Sequence, residues 1–235
     1  MVRGPAAVLT AYAGAFLYFE LAPSLPTLGG GDATTIVCGV TGMAALALGV
    51  LTLLPARDAL SLLALLLVGG GLLAGALQVA DAGPAANVPK LLFAAALGML
   101  LARLLDTPPV VVAVPLFVAG IELAGALGQP GSPLVHHDGH MVNFITFSLP
   151  RWGSREAGQV AMSDMLFLGF YAAAAWRYGF RPRATAAGLY LGLAATLVVG
   201  VALGRALPVL PGLAVGLLAP NLDRIPPLLR RGDGA

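Results

Sequence analysis

The amino-acid sequence predicts an all-α polytopic membrane protein. Of its 235 residues, 58% are hydrophobic and only 10% are charged, whereas a soluble domain carries about 25% charged residues. The apolar runs are nearly continuous and about 18 residues long, which is typical of membrane helices and unlike the alternating pattern of barrel strands. These observations favour helices that lie in a lipid bilayer.

Eight apolar segments are long enough to be candidate membrane helices, since a bilayer needs about 20 residues. Proline or glycine separates most of them, for example at Pro55 and at Gly83–Pro84. The first segment lacks a small-residue cleavage site, so we interpret it as a retained helix rather than as a signal peptide. The predicted spans cover residues 6–22, 34–54, 59–79, 88–105, 109–127, 159–177, 184–204 and 207–222.

The distribution of Lys and Arg predicts the orientation of these helices, because cytoplasmic loops carry an excess of both. With a cytoplasmic N-terminus, nine of the 13 basic residues lie inside and four lie outside. We therefore predict a multi-pass protein of a prokaryotic cell membrane with both termini in the cytoplasm.

The net charge of +2 is too small and scattered to indicate nucleic acid binding. The single cysteine, Cys38, excludes an internal disulfide.

Two carboxylates lie inside consecutive apolar segments, where an ionisable side chain is costly and often functional. Glu122 lies five residues before the end of its predicted span, and Asp164 lies five residues after the start of the next one. Since these helices run in opposite directions, both acids are predicted at the same depth, about 7–8 Å below the outer helix ends. The alternative is that each acid separately reaches the interface or binds a neighbouring helix.

The long polar connection, residues 128–158, offers two further candidate features. The segment Val142–Leu149 is rich in β-branched and aromatic residues and is closed by Pro150, which predicts a short strand. A strand with an open edge binds extended peptides through its backbone. The same connection has four side chains of a metal-binding type, but no His-Glu-x-x-His pattern, so we favour a solvated loop. These four are His136, His137, Asp138 and His140.

The order of these features is an acid-bearing span, a loop, a second acid-bearing span, one further span, and a last span with prolines at its start. This order resembles the presenilin and signal peptide peptidase family of intramembrane aspartyl proteases. Ile121–Leu123 stands where that family has Tyr-Asp-Leu, Ala161–Asp164 where it has Gly-x-Gly-Asp, and Pro208–Leu210 where it has Pro-Ala-Leu. The resemblance extends from Asn87 to Asn221.

The resemblance implies an N-terminal three-helix region, residues 1–86, and a presenilin-like catalytic region, residues 87–235. It implies that Glu122 and Asp164 form a catalytic pair, and that the partners are the lipid bilayer and a membrane-embedded helical peptide substrate. It implies neither a metal nor another cofactor. The residues expected to contact the substrate are Ala161, Ser163, Phe144, Phe147, Pro208, Val209 and Leu210.

Four positions of the two acid motifs depart from the family's pattern. Glu122 replaces the first aspartate, Ile121 replaces the aromatic residue before it, and Ala161 and Ser163 replace the two motif glycines. The sequence also has eight predicted spans where the family usually has nine. Alternatives from other classes therefore stay open. A proton-coupled transporter also keeps carboxylates in the membrane, a metal-dependent hydrolase would use the histidine loop, and a catalytically inactive relative would serve as a membrane scaffold.

Overall fold

The computed structural model describes residues 5–27, 31–107, 109–128 and 144–230. Short 3₁₀ turns extend several of the helices in these ranges. In chain order the elements are α1 (Pro5–Leu21), α2 (Gly31–Leu53), α3 (Leu60–Val79), α4 (Asn87–Arg103), α5 (Val110–Gly128), β1 (Thr146–Arg151), β2 (Ser154–Ala161), α6 (Met162–Arg177), α7 (Pro182–Ala202), α8 (Leu210–Leu218) and α9 (Ile225–Arg230).

Among the described residues, six helices are long and apolar enough to cross a membrane, namely α1 to α5 and α7. The predicted class, a predominantly helical membrane protein, is confirmed at this level. Two of the eight predicted spans, the sixth and the eighth, form shorter helices that are not among these six. α6 begins at Met162 because residues 159–161 belong to β2. α8 has nine residues and a short 3₁₀ extension, Ala219–Asn221, so by itself it is too short for a hydrocarbon layer of about 30 Å.

Helices α4 and α6 pack closely because glycines leave room for the opposing backbone. A Cβ atom on Gly98 of α4 would overlap the carbonyl oxygen of Leu166 of α6. A Cβ atom on Gly169 of α6 would lie in tight contact with the backbone of Ala95, without overlapping it. Small residues let membrane helices approach until their backbones are in contact, which increases the dispersion attraction between them. The position of α6, which carries Asp164, is therefore set by α4.

Helices α7 and α8 are joined by two reciprocal pairs of glycines. A Cβ atom on Gly188 would overlap the carbonyl oxygen of Gly216, and one on Gly192 would overlap that of Gly212. A Cβ atom on Gly212 or on Gly216 of α8 would in turn overlap the backbone of α7. Each helix thus carries two glycines four residues apart on one face, which is the spacing of the close-packing motif of membrane helices. This contact fixes the start of the short helix α8.

The strands β1 and β2 form an antiparallel hairpin in which Ser148 lies opposite Gln159. The structure shifts the predicted strand Val142–Leu149 along the chain. Residues 142 and 143 lie outside the described ranges, the next two residues are helical, and β1 continues through Pro150 to Arg151. The connection between the strands includes Gly153 with a φ of 74°, a conformation that glycine adopts without steric cost.

Two side chains of α4 hold the edge of β1 that faces away from β2. Asn87 donates from Nδ2 to the carbonyl oxygen of Ser148 at 2.6 Å and accepts from the Ser148 N–H at 3.1 Å. One turn further along α4, the buried Lys90 donates from Nζ to the carbonyl oxygen of Thr146 at 3.1 Å. Asn87 therefore replaces the hydrogen bonds of a third strand, and this edge of β1 is already occupied.

The N-terminal helices pack directly on the rest of the chain. Gly42 of α2 lies against the side chain of Leu149 in β1, and Gly39 lies against Leu197 in α7. Buried side chains on both sides of residue 86 belong to one hydrophobic core, for example Leu46 and Leu168. The two predicted regions therefore share a core, and their boundary stays a prediction.

We expect Gly188→Ala to lower the free energy of unfolding by about 1–3 kcal/mol, because the added methyl group overlaps the backbone of α8. Gly69→Ala is the matched control, since open space surrounds that glycine in the transmembrane helix α3. Reversible unfolding in detergent micelles measures both values. Equal stability of the two variants would contradict the close contact between α7 and α8.

Candidate active site

Asp164 lies in the first turn of α6, directly after β2 ends. Its N-cap residue, Ala161, has an extended backbone and no side-chain oxygen to accept from the first N–H groups of the helix. The Asp164 carboxyl, three residues later, interacts with the N–H of Ala161, which is one half of a capping box. The Asp164 side chain is only 4% exposed. The junction of strand and helix thus fixes this acid inside the protein.

Glu122 lies on α5, is half-buried, and binds the start of α8. Its Oε2 atom accepts a hydrogen bond from the N–H of Leu210 at 2.7 Å, and the N–H of Val209 also interacts with this carboxyl. The N-cap of α8 makes no side-chain hydrogen bond, and the first N–H groups of a helix have no partner within the helix. Glu122 supplies the missing acceptor from another helix and places negative charge at the positive end of α8.

The two acids belong to one site because α8 packs against both α5 and α6. Glu122 and Asp164 are close enough for their charges to repel each other when both are ionised. The carboxylate of α5 thus binds the proline-flanked start of α8, and the carboxylate of α6 lies within electrostatic range of it. This grouping involves all three segments that the sequence analysis related to family motifs.

The depth prediction for the two acids needs a correction. Glu122 lies six residues before the end of α5, and Asp164 is the third residue of α6, so their distances from the helix ends are about 9 Å and about 3 Å. The predicted equality assumed that α6 begins at Gln159. The chain before Met162 is a strand instead, so the end of α6 does not mark the same level as the end of α5.

Tyr171 is a residue of the site that the sequence analysis missed. Its side chain is fully buried on α6, and its hydroxyl group has no hydrogen-bond partner among the described residues. Tyr171 lies near enough to Glu122 for an electrostatic interaction between its hydroxyl group and that carboxyl group. Tyr171 follows Asp164 by seven residues, so both lie on the same face of α6. That spacing was visible in the sequence, but an aromatic residue in an apolar helix is more often a core residue.

The residues expected to contact a substrate lie in different environments. Ser163 is exposed beside Asp164, and Pro208 and Val209 are half-buried beside Glu122. Phe147 has 0% exposure and lies in the core, so its side chain is not on an accessible surface. Ala161 is the last residue of β2. Leu210 is buried and donates its N–H to Glu122. Phe144 is exposed and lies beside Gly75 of α3.

The outer face of α5 borders the acid pair on one side. Phe117, Ile121 and Leu123 of this helix are exposed, and α5 packs chiefly against α8. Exposed apolar side chains on a membrane helix are suited to contact with lipid acyl chains. Glu122 therefore lies on a peripheral helix, between the lipid-facing surface and the interior where Asp164 is buried.

The predicted metal alternative involves residues 136–140, which lie outside the described ranges. Within the described ranges, no group of three or more His, Cys, Asp or Glu side chains is arranged to hold a metal ion. The chemistry of the site described above is that of two carboxyl groups and backbone N–H donors.

Comparison with known proteins adds no relative to this description: no protein-family model, no curated protein and no solved structure matches the chain.

We expect Glu122→Ala to lower the free energy of unfolding by about 1–3 kcal/mol, because the N–H of Leu210 loses its acceptor. Glu122→Gln keeps an oxygen at this position and should cost less. Glu20→Ala, at an exposed position on α1, is the control and should change stability by no more than about 0.5 kcal/mol. If Glu122→Ala is as stable as the control, the bond between α5 and α8 does not hold these helices together.

Proposed function

We propose that this protein is an intramembrane aspartyl protease that cleaves membrane-helix peptides with Glu122 and Asp164. The observation that carries the proposal is the electrostatic proximity of the two carboxylates, one of which binds the start of α8. Each comes from a different helix, and the site lies beside the lipid-facing helix α5. Intramembrane carboxylates are costly and are retained mainly where they have a function.

The proposed reaction is hydrolysis of a peptide bond by a water molecule held between the two carboxyl groups. Two carboxyl groups that share a site rarely ionise together, so the pair holds one proton. The ionised carboxylate removes a proton from the water as its oxygen attacks the carbonyl carbon. The protonated carboxyl donates its proton to the carbonyl oxygen. Collapse of the resulting gem-diol breaks the C–N bond, and the pair returns a proton to the leaving amine.

The roles of base and acid belong to the pair, because coupled carboxyls titrate as a unit. The hydrogen bond from the N–H of Leu210 at 2.7 Å holds the Oε2 atom of Glu122 and so orients this carboxyl group. This arrangement also addresses the replacement of aspartate by glutamate. The additional methylene lets Glu122 reach the N–H groups of α8 while it remains on α5.

The hairpin of β1 and β2 is the proposed support for an unwound segment of the substrate, because β2 continues directly into the turn that carries Asp164. The sequence favours the edge of the first strand for this role, but Asn87 and Lys90 already bind that edge of β1. A substrate segment held along β2 is led towards the acid pair.

An inactive membrane protein is the second candidate, and one specific observation favours it. The bond between Glu122 and Leu210 is what a purely structural tether between α5 and α8 would also make. In that case Glu122 serves the fold and Asp164 serves as the cap of α6. Glutamine at position 122 separates the two candidates, because it retains the acceptor oxygen but cannot take up or release a proton.

The orientation in the membrane is part of the proposal. The excess of basic residues supports cytoplasmic termini, and in this orientation the acid pair would lie near the outer side of the bilayer. The membrane that we propose is that of a prokaryotic cell. A substrate helix would reach the pair laterally from the lipid, past α5.

We expect Asp164→Asn and Glu122→Gln each to abolish cleavage of a labelled membrane-helix peptide in liposomes, because each removes a group that must exchange protons. Both amides are close in volume to the acids and should leave the protein folded, since a neutral amide is less costly in the membrane than a carboxylate. Glu20→Gln on α1 is the matched control and should cleave like the wild type. Product masses identify the cleaved bond.

Glu122→Asp is the sharper test of geometry. It keeps the acid but shortens its reach by one methylene, so the bond to Leu210 is lost or stretched. A cleavage rate that differs at least tenfold from the wild type supports a role of Glu122 in the reaction. Cleavage that is indifferent to all three substitutions at positions 122 and 164 contradicts the proposal, as does failure of the wild type to cleave any helix peptide.

A further inference from the structure

Three arginines from different segments converge on one pocket at the end of the protein remote from Asp164. Arg57 follows α2, Arg103 ends α4, and Arg177 ends α6. Asp164 and Arg177 are 13 residues apart on one helix, which is about 20 Å. The floor of the pocket is formed by three buried side chains of α4 and α6: Met99, Ala102 and Ala173.

Backbone carbonyl groups hold the three guanidinium groups in place. Arg57 donates from Nη1 to the carbonyl oxygen of Leu54 at 3.1 Å. Arg103 donates from Nη1 to the carbonyl oxygen of Asp58 at 3.1 Å, and Arg177 donates from Nη1 to that of Arg103 at 2.8 Å. These bonds fix the planes of the side chains but neutralise none of their charges. The arginine side chains therefore lose their conformational entropy when the protein folds, and a ligand does not have to order them.

The pocket has a surplus of positive charge. Among the described residues, the only carboxylate that lines the pocket is that of Asp58, whose Oδ2 lies 3.2 Å from Nη2 of Arg57. Neither Arg103 nor Arg177 pairs with a carboxylate in the described part of the chain. Three guanidinium groups and one carboxylate leave two positive charges in the pocket. The planar donors of arginine match the oxygens of a phosphate group, which they bind through paired hydrogen bonds.

Trp176 indicates the depth of this pocket in the membrane. The Cζ atom of Arg57 lies 4.7 Å from the centre of the Trp176 ring, and Trp176 is 46% exposed. Tryptophan is enriched at the level of the lipid headgroups. The pocket therefore opens where phosphate groups of lipids lie, on the side that the excess of basic residues assigns to the cytoplasm, whose leaflet carries anionic lipids.

We propose that the pocket of Arg57, Arg103 and Arg177 is a binding site for a phosphate group. The ligand class is a phosphate ester with an exposed anionic group. The headgroup of an anionic phospholipid and a soluble phosphate share this chemistry. The depth of the pocket favours the lipid. The site is separate from the acid pair, so its occupancy is measured without reference to proteolysis.

Native mass spectrometry of the full chain in a neutral detergent tests the site, with phosphatidylglycerol and phosphatidylcholine of the same acyl chains as probes. We expect the wild type to bind phosphatidylglycerol more tightly. The double variant Arg103→Gln, Arg177→Gln should weaken that binding by at least about tenfold, since each arginine contributes charge-assisted hydrogen bonds. The matched control is Arg183→Gln, Arg224→Gln, which removes the same charge from exposed positions at the same end and should leave the preference unchanged.

A variant that binds the lipid more tightly must be folded, so it tests the site independently of any loss of folding in the double variant. Asp58→Asn removes the Asp58 carboxylate from the pocket and should tighten phosphatidylglycerol binding about fivefold. Titration with glycerol 3-phosphate distinguishes the source of the phosphate. If it competes with the lipid at millimolar concentration in the wild type, the site also takes soluble phosphates; if it does not, the site is specific for lipid. Equal retention of both lipids by the wild type, or an equal loss in the double variant and its control, would overturn the proposal.

Discussion

Close contact between helix backbones at glycine residues is the constraint on which the rest of this structure depends. Gly98 brings α4 against α6, and Gly188 with Gly216 brings α7 against α8. In a membrane, lipid tails are as apolar as leucine, so the association of helices depends on dispersion contacts at such short distances. One contact positions the helix that carries Asp164, and the other positions the N–H groups that bind Glu122. A methyl group at either contact would displace one part of the acid site.

The bond between Glu122 and Leu210 connects the fold to the proposed chemistry. It satisfies an N–H group that the short helix α8 leaves without an internal partner, and it holds the peripheral helix α5. The same bond orients one oxygen of a carboxyl group that interacts with Asp164. A structural requirement and the proposed catalytic requirement therefore fall on a single side chain, which is why amide and shortened variants at position 122 are more informative than alanine.

The sequence was sufficient to predict the helical membrane class and most helix boundaries, because prolines and glycines interrupt long apolar runs. It did not predict β2, since Ser154–Ala161 consists mainly of small and charged residues with low strand propensity. The start of α6 was consequently misplaced. The glycine spacing of α7 and α8 was readable, but in a chain with 31 glycines it did not stand out. The contact between Glu122 and Leu210 joins residues 88 positions apart, and only the three-dimensional packing reveals it.

The most direct measurement of the central claim is the binding of a transition-state mimic of aspartyl proteolysis. The probe is a helical membrane peptide in which a tetrahedral hydroxyl group replaces the scissile carbonyl, as in the proposed gem-diol. If the two carboxyl groups form a proteolytic pair, the wild type binds one probe per chain, and Asp164→Asn or Glu122→Gln each abolishes the gain over the unmodified peptide. Binding of the probe no tighter than that of the unmodified peptide, or equal binding by both amide variants, would contradict the assignment of Glu122 and Asp164 as a catalytic pair.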